Sequence, residues 1–147
     1  MLFRILNRQE AEADLRCAKP HRVISISSST GKPARVAQNE KTMGVLPLVF
    51  DDLDAEPGPS YVAVYGEPIL FSSEHAGRIK QFIPVPEAMD CEVIIVHCDA
   101  GHSRSPAVAA ALAKWMGEDG QEQVMFKYFC PNRLVYRTLL QHLVGEG

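Results

Sequence analysis

Apolar residues occur at two different spacings along the chain, and this pattern predicts strands and helices in turn. Short apolar runs, several of them β-branched, predict strands over residues 3–6, 21–28, 45–50 and 92–97. The run 92–97, EVIIVH, is apolar on both faces, as strands in the middle of a parallel sheet are. Pro47 has no N–H for a sheet hydrogen bond, so the strand 45–50 is expected at a sheet edge or at a bulge.

Apolar residues that recur every three to four positions predict the helices. These helices are expected over residues 7–16, 72–83, 105–116, 123–129 and 133–143. Asn7, Asn132 and either Ser72 or Ser73 stand at helix starts and have side chains that can cap them. Pro106 suits the first turn of the helix 105–116, where its missing N–H costs nothing.

The segments between these elements carry turn and loop signals. Residues 51–61 are dense in acidic residues, glycine and proline and predict a loop, as do residues 117–122. Residues 61–71 are compatible with either a short strand or an extended arm.

Strands that alternate with helices predict an α/β fold with a central, mostly parallel β-sheet and helices on both faces. A chain of 147 residues is most simply one domain, residues 1–147. Ligands in such folds bind beyond the carboxyl ends of the strands. Cys98 directly follows the strand 92–97, so it is expected at that edge of the sheet.

Composition and charge limit which binding partners and which cellular compartment are expected for this protein. A net charge of −3 leaves no basic surface, so neither nucleic acid nor an anionic membrane is the expected partner. No apolar run approaches the length that spans a bilayer. The four cysteines show neither C-x-x-C nor metal-ligand spacing, which predicts a reducing, cytoplasmic setting with no metal and no cofactor. The sequence carries no signal for an oligomeric state.

The loop 98–104, CDAGHSR, has the composition of an anion-binding site. Its backbone N–H groups precede a helix and have no intrahelical partner, so they can bind an anion at the positive end of the helix dipole. Gly101 permits a close backbone approach, and the planar fork of Arg104 matches two oxygens of a tetrahedral oxyanion. A cysteine at a helix N-terminus beside a cation is favoured as the thiolate, so Cys98 is expected to be a nucleophile.

Residues 97–105, HCDAGHSRS, resemble the signature H-C-x5-R-[ST] of the cysteine-dependent protein tyrosine phosphatases. The signature lies in the last third of the chain, between an apolar strand and an apolar helix. In this it is similar to the compact dual-specificity-type enzymes, and the segment 131–140, PNRLVYRTLL, resembles their small microbial and phage members. The resemblance implies a tyrosine-phosphatase-like version of the α/β fold.

The resemblance also implies an activity: hydrolysis of phosphate monoesters on phosphorylated proteins or peptides through a phosphocysteine intermediate. Cys98 would attack phosphorus, Ser105 would hydrogen-bond the sulfur, and His97 would brace the loop from behind. The remaining loop residues would bind the phosphoryl oxygens: Asp99, Ala100, Gly101, His102, Ser103 and Arg104.

Members of this family use an aspartate on a separate loop as the general acid. Asp51, Asp52 and Asp54 are the candidates here, and Asp52 is preferred because the pattern hydrophobic-Phe-x-Asp fits the small members best. The chain has neither the Trp-Pro-Asp sequence of the classical enzymes nor a recognisable tyrosine-binding loop. The choice between phosphotyrosine and phosphoserine or phosphothreonine therefore stays open.

Three other functions are compatible with parts of this pattern. A phosphoinositide or RNA 5′-triphosphate phosphatase would favour lysines in the loop, where this chain has Asp99, Ala100 and His102. A phosphate-binding pseudo-phosphatase would not need both Cys98 and Arg104. Arsenate reduction would need further cysteines near the first, which the spacing of Cys17, Cys91 and Cys130 does not provide.

Overall fold

A computed structural model describes residues 1–145 and contains one four-stranded sheet. Its strands are β1 (Leu2–Leu6), β2 (His21–Ser27), β3 (Thr42–Val49) and β4 (Val93–His97). The strand order is β1-β4-β2-β3, and all three pairings are parallel. The predicted α/β class with a parallel central sheet is confirmed. So are the inner position of β4 and the edge position of β3, which contains Pro47.

Helices connect and cover the strands. They are α1 (Arg8–Ala13), α2 (Pro59–Tyr65), α3 (Ser73–Phe82), α4 (Arg104–Trp115), α5 (Asp119–Tyr128) and α6 (Arg133–Gly145), with a short 3-10 turn at Pro86–Ala88. The predicted helices correspond to α1, α3, α4, α5 and α6, although α1 ends three residues early and α5 begins inside the segment expected to be a loop. None of these helices is long and apolar enough to cross a membrane.

The prediction for the region around α2 was wrong, because residues 59–65 form a helix rather than a loop followed by a strand or arm. Pro59 stands in the first turn, and Gly66 ends the helix with a φ of 82°. Proline at the start and glycine just past the end is the arrangement that helices favour. The β-branched and aromatic residues between them, which indicated extended structure, concealed this signal.

The two faces of the sheet are both covered, as predicted. Ile94 and Val96 of β4 pack into the larger core, which α3, α4, α5 and α6 complete. Val93 and Ile95 point to the opposite face, where a smaller core includes Ala11 of α1. Because side chains of a strand alternate between faces, the continuous apolar run of β4 is what a strand covered on both sides requires.

Helix α4 is the central helix of the larger core and carries the start of the candidate site. All ten residues from Arg104 to Ala113 are buried, and five of them are alanine. Alanine has the best helix propensity and allows close packing against neighbouring elements. The N-terminus of α4 therefore lies at a defined place beyond the carboxyl end of β4.

Candidate active site

Cys98 and Ser105 meet at the junction of β4 and α4. The Cys98 side chain is almost fully enclosed, with 2% of the residue exposed, and its Sγ lies 3.1 Å from Ser105 Oγ. An ionised sulfur can only accept a hydrogen bond, so in the thiolate form the Ser105 hydroxyl donates to Sγ. The contact expected between these two residues is present.

Gly101 allows the loop to curl against the end of β1. Its φ is 71°, and a Cβ at this position would lie 3.0 Å from the carbonyl oxygen of Leu6 and 3.1 Å from the backbone nitrogen of Asn7. The Arg8 backbone N–H also donates to the Asp99 carbonyl oxygen, at 3.1 Å. Backbone contacts with the β1–α1 connection therefore fix the curvature of the loop, and they leave room only for glycine.

Arg104 is buried in the first turn of α4 and is held by three hydrogen bonds. Its Nη1 donates to Ser28 Oγ and to the Phe50 carbonyl oxygen, both at 2.9 Å, and its Nη2 donates to Asp99 Oδ2 at 3.1 Å. Two of its five N–H donors, Nε–H and the second Nη2–H, have no partner in residues 1–145. Within residues 1–145, every side-chain nitrogen or oxygen that is shielded from solvent has a hydrogen-bond partner. Because Nε has none, it is not fully shielded and can be reached from solvent. The guanidinium thus keeps one edge for two oxygens of an anion.

Asp99 and Ser28 orient this guanidinium, a role that the sequence analysis missed. Asp99 Oδ2 accepts hydrogen bonds from Ser28 Oγ at 2.7 Å and from Arg104 Nη2. Partial burial raises the pKa of Asp99, but these bonds and the positive charges of Arg104 and Arg8 outweigh it and lower the pKa. The Asp99 carboxylate is therefore charged and pairs with Arg104. The position of Asp99 next to Cys98 was visible in the sequence, but the approach of Ser28, which directly follows β2, was not.

His97 lies behind the loop, where it was expected to brace it. The ring is enclosed, and burial lowers the pKa of His97 and keeps the ring neutral. Nδ1 lies 3.3 Å from the Cys98 carbonyl oxygen and Nε2 lies 2.6 Å from Ser25 Oγ. A neutral ring that donates from Nδ1 and accepts at Nε2 satisfies both contacts.

The three candidate acids occupy different environments. Asp51 accepts from the Ser29 backbone and hydroxyl, at 2.9 and 2.6 Å, and from the Ile69 backbone, at 2.9 Å. Burial raises the pKa of Asp51, but these hydrogen bonds and the charge of Arg104 outweigh it and lower the pKa. The hydrogen bonds tie this side chain to Ser29 and Ile69. The exposed Asp54 makes no side-chain hydrogen bond within residues 1–145.

Asp52 borders the loop. Its Oδ1 accepts from Ser103 Oγ at 2.8 Å and from Asn132 Nδ2 at 2.9 Å. A shallow cleft is lined by Asp52, Asp54, Ser103 and Asn132 together with Cys130 and Arg133. Of the three aspartates, Asp52 is the one whose side chain hydrogen-bonds to the Cys98–Arg104 loop within residues 1–145.

The remaining predicted loop residues lie at the rim. Ala100 is exposed, and His102 is exposed with its ring edge-on to Phe129, 6.4 Å between centroids. The His102 carbonyl oxygen accepts from the Cys130 N–H, so the loop is tied to the segment before α6. Ala100 and His102 can contribute backbone N–H groups and contacts at the rim. The His102 side chain makes no hydrogen bond within residues 1–145.

No family model and no curated protein matches the chain. Residues 1–145 also hold no group of three or more histidine, cysteine or acidic side chains that could bind a metal ion.

Proposed function

We propose that this protein is a cysteine-dependent phosphatase, similar to the compact dual-specificity-type enzymes, that hydrolyses phosphate monoesters on protein side chains. The observation that carries the proposal is the loop itself. One turn places the Cys98 sulfur next to the Ser105 hydroxyl and leaves two N–H donors of the buried Arg104 unpaired. A nucleophile and a fork for a tetrahedral anion together are what phosphoryl transfer to sulfur requires.

In the first step, the phosphoryl oxygens bind to Nε–H and Nη2–H of Arg104 and to the loop N–H groups. The Cys98 thiolate attacks phosphorus, an S–P bond forms, and the bond from phosphorus to the ester oxygen breaks. Asp52 donates its proton to the departing oxygen, which leaves as an alcohol or phenol.

In the second step, water attacks the phosphocysteine. Asp52, now ionised, accepts a proton from that water while the S–P bond breaks. The Ser105 hydroxyl stabilises the departing sulfur by donating to it, at the 3.1 Å distance seen here. Inorganic phosphate leaves, and Cys98 and Asp52 return to their starting states.

The charge around the loop supports the proposed substrate, and the free cysteines support the proposed setting. Asp99 pairs with the single buried arginine, and Asp52 and Asp54 line a cleft beside Ser103 of the same loop, so the negative charge near the loop favours one phosphoryl group over a polyanion. A phosphorylated protein or peptide is therefore the proposed partner, and nucleic acid is not. All four cysteines are free, and the mechanism needs a reduced thiol, so we propose a reducing, cytoplasmic setting.

The test is hydrolysis of p-nitrophenyl phosphate and of a phosphotyrosine peptide by the wild type, by Cys98→Ser and by Cys91→Ser. Wild type and Cys91→Ser should turn over equally, and Cys98→Ser should lose about 10⁴-fold or more, as loss of a nucleophile does in other covalent enzymes. Phosphoserine peptide, inositol polyphosphate and 5′-triphosphate RNA, assayed in parallel, decide the substrate class. Retained activity in Cys98→Ser would exclude the mechanism, and vanadate binding without any turnover would indicate a non-catalytic phosphate-binding protein.

A further inference from the structure

Asn132 stands immediately before α6 and contacts both Asp52 and the Cys98–Arg104 loop. It is a buried polar residue, with 7% of its surface exposed, in a region where the neighbouring acidic segment is open to solvent. We infer that Asn132 is a positioning residue that holds Asp52 in place to protonate the leaving group. This role rests on the proposed phosphatase function and adds a residue to it.

The side-chain amide of Asn132 holds two consecutive residues of the acidic segment. Its Nδ2 donates to Asp52 Oδ1 at 2.9 Å and to the Leu53 carbonyl oxygen at 3.2 Å, so both amide hydrogens are used. Ser103 Oγ donates to the same Asp52 Oδ1 at 2.8 Å. A carboxyl group whose Oδ1 accepts two hydrogen bonds carries its proton on Oδ2, which selects the oxygen that can act as the acid.

The orientation of the Asn132 amide is fixed by its other contacts. Its Oδ1 accepts from the Val135 N–H at 3.1 Å, which caps α6 as the sequence predicted. Its backbone N–H donates to the Ser103 carbonyl oxygen at 3.0 Å. Turning the amide over would place its oxygen against the Asp52 carboxylate and its NH₂ against the Val135 N–H, so only the present orientation satisfies every group.

Hydrogen bonds from Ser29 and Ile69 hold the acidic segment at Asp51, but burial does not hold the side chain of Asp52. No residue from 51 to 70 is buried, and α2 within that range contributes no side chain to either core. An exposed carboxylate on such a segment would sample several rotamers, and each non-productive rotamer reduces the rate of protonation. Asn132 links the segment to the rigid start of α6 and, through Ser103, to the loop that carries Cys98.

The dependence of the rate on the leaving group tests this role. A nitrophenolate leaves without much help from an acid, whereas a phenolate of higher pKa needs its proton. In Asn132→Ser, the hydroxyl still caps α6 but cannot reach Asp52. We expect kcat to fall about 10–100-fold for phenyl phosphate and less than about threefold for p-nitrophenyl phosphate, since general acids contribute about 10²–10⁴-fold.

A double variant separates action through Asp52 from a general effect on the site. Asp52→Asn should itself be slow on phenyl phosphate, and adding Asn132→Ser to it should cause little further loss, since residues that act as a unit are non-additive. Asn132→Asp, which keeps the cap acceptor but removes both donors, should reproduce the leaving-group dependence. It replaces Asn132→Ser if the serine variant fails to give a cooperative thermal transition.

Asn39 provides a matched control at the amino ends of the strands. Its Nδ2 donates to the Cys17 carbonyl oxygen at 3.2 Å and its Oδ1 accepts from the Lys41 N–H at 2.8 Å, so its amide is engaged in a comparable way. Asn39→Ser should change neither rate.

Equal loss on both substrates, no loss on phenyl phosphate, or full additivity with Asp52→Asn would each overturn the role of Asn132. Wild type without Cys98-dependent turnover would instead overturn the proposed function, and the positioning role with it.

Discussion

The two ends of strand β4 hold the same three residue types in different arrangements. At the carboxyl end are Cys98, Arg104 and Asp99, and at the amino end are Cys91, Arg22 and Asp90. Both cysteines are buried, with 2% and 7% of their surfaces exposed. Residue type and burial therefore do not distinguish the candidate site from its counterpart.

At the amino end of β4, the charged groups of Arg22 and Asp90 form hydrogen bonds with each other. Arg22 donates from Nε to Asp90 Oδ1 at 2.8 Å and from Nη2 to Asp90 Oδ2 at 2.6 Å, so the whole fork is used on one carboxylate. Burial first, and the negative charge of Asp90 second, raise the pKa of Cys91. This end holds a neutral thiol and a closed ion pair.

At the carboxyl end, Asp99 engages only one Nη2–H of Arg104, and Ser28 and the Phe50 carbonyl hold the other side of the guanidinium. The first turn of α4 adds its dipole and the Ser105 hydroxyl beside the sulfur. The comparison therefore predicts that reactivity depends on guanidinium donors left unpaired beside the sulfur-bearing loop, not on the mere presence of an arginine near a cysteine.

The largest contrast is expected between the two arginines. Lysine keeps the charge but loses the fork, so Arg104→Lys should lower kcat on aryl phosphates about 10²–10³-fold, the effect of losing an oxyanion donor. The kcat of Arg22→Lys on the same substrates should stay within twofold of the wild-type value. Equal losses in the two variants would contradict the contrast between the ends.

A smaller contrast is expected between the two cysteines under alkylation. With iodoacetamide at pH 6.5, Cys98 should react about tenfold or more faster than Cys91. The Ser105 hydroxyl and the start of α4 stabilise negative charge on the Cys98 sulfur, whereas burial and the charge of Asp90 raise the pKa of Cys91. Peptide mass spectrometry measures the two rates, and inorganic phosphate should protect Cys98 alone. Equal rates, or protection of neither residue, would refute the assignment.

Two glycines at opposite ends of α4 test the packing of the loop. Gly101 and Gly117 have φ angles of 71° and 78°, but a Cβ would meet backbone atoms at 3.0–3.1 Å only at Gly101 and nothing within 4 Å at Gly117. Gly117→Ala should cost about 1 kcal/mol of unfolding free energy, and Gly101→Ala about 2–4 kcal/mol because steric overlap adds to backbone strain. Urea unfolding measures both, and equal costs would show that the loop can relax.

The smallest effect concerns the pH dependence of stability. Burial lowers the pKa of His97 below its ordinary value of 6.5, so between the folded-state pKa and 6.5 only the unfolded chain binds this proton. Stability should therefore fall as pH drops through 6.5 and level off once the folded state is protonated too. His97→Asn, which does not titrate, should show a shallower change of Tm between pH 7 and 5.5, and an unchanged slope would exclude burial of the neutral ring.

Much of this architecture follows from local pattern. The central strand, the edge strand with Pro47, helix α4 and the Asn132 cap all depend on residues within a few positions of each other, where spacing and capping rules apply. The loop 98–104 could also be predicted from local pattern, because its glycine, its arginine and the following helix are contiguous in the sequence. Helix α2 was missed because its β-branched and aromatic residues favour a strand, while only its terminal Pro59 and Gly66 indicate a helix.

The sequence by itself determined the α/β alternation, the buried strand that ends at Cys98 and the residue types of the loop. The tertiary structure alone decided that Ser28 and Phe50 hold Arg104, and that Asn132 and Ser103 select Asp52 over Asp51 as the aspartate at the loop. These partners lie 51 to 80 positions apart along the chain. No local spacing rule relates them, because they meet only where parallel strands end at one edge of the sheet and the start of α6 packs against it.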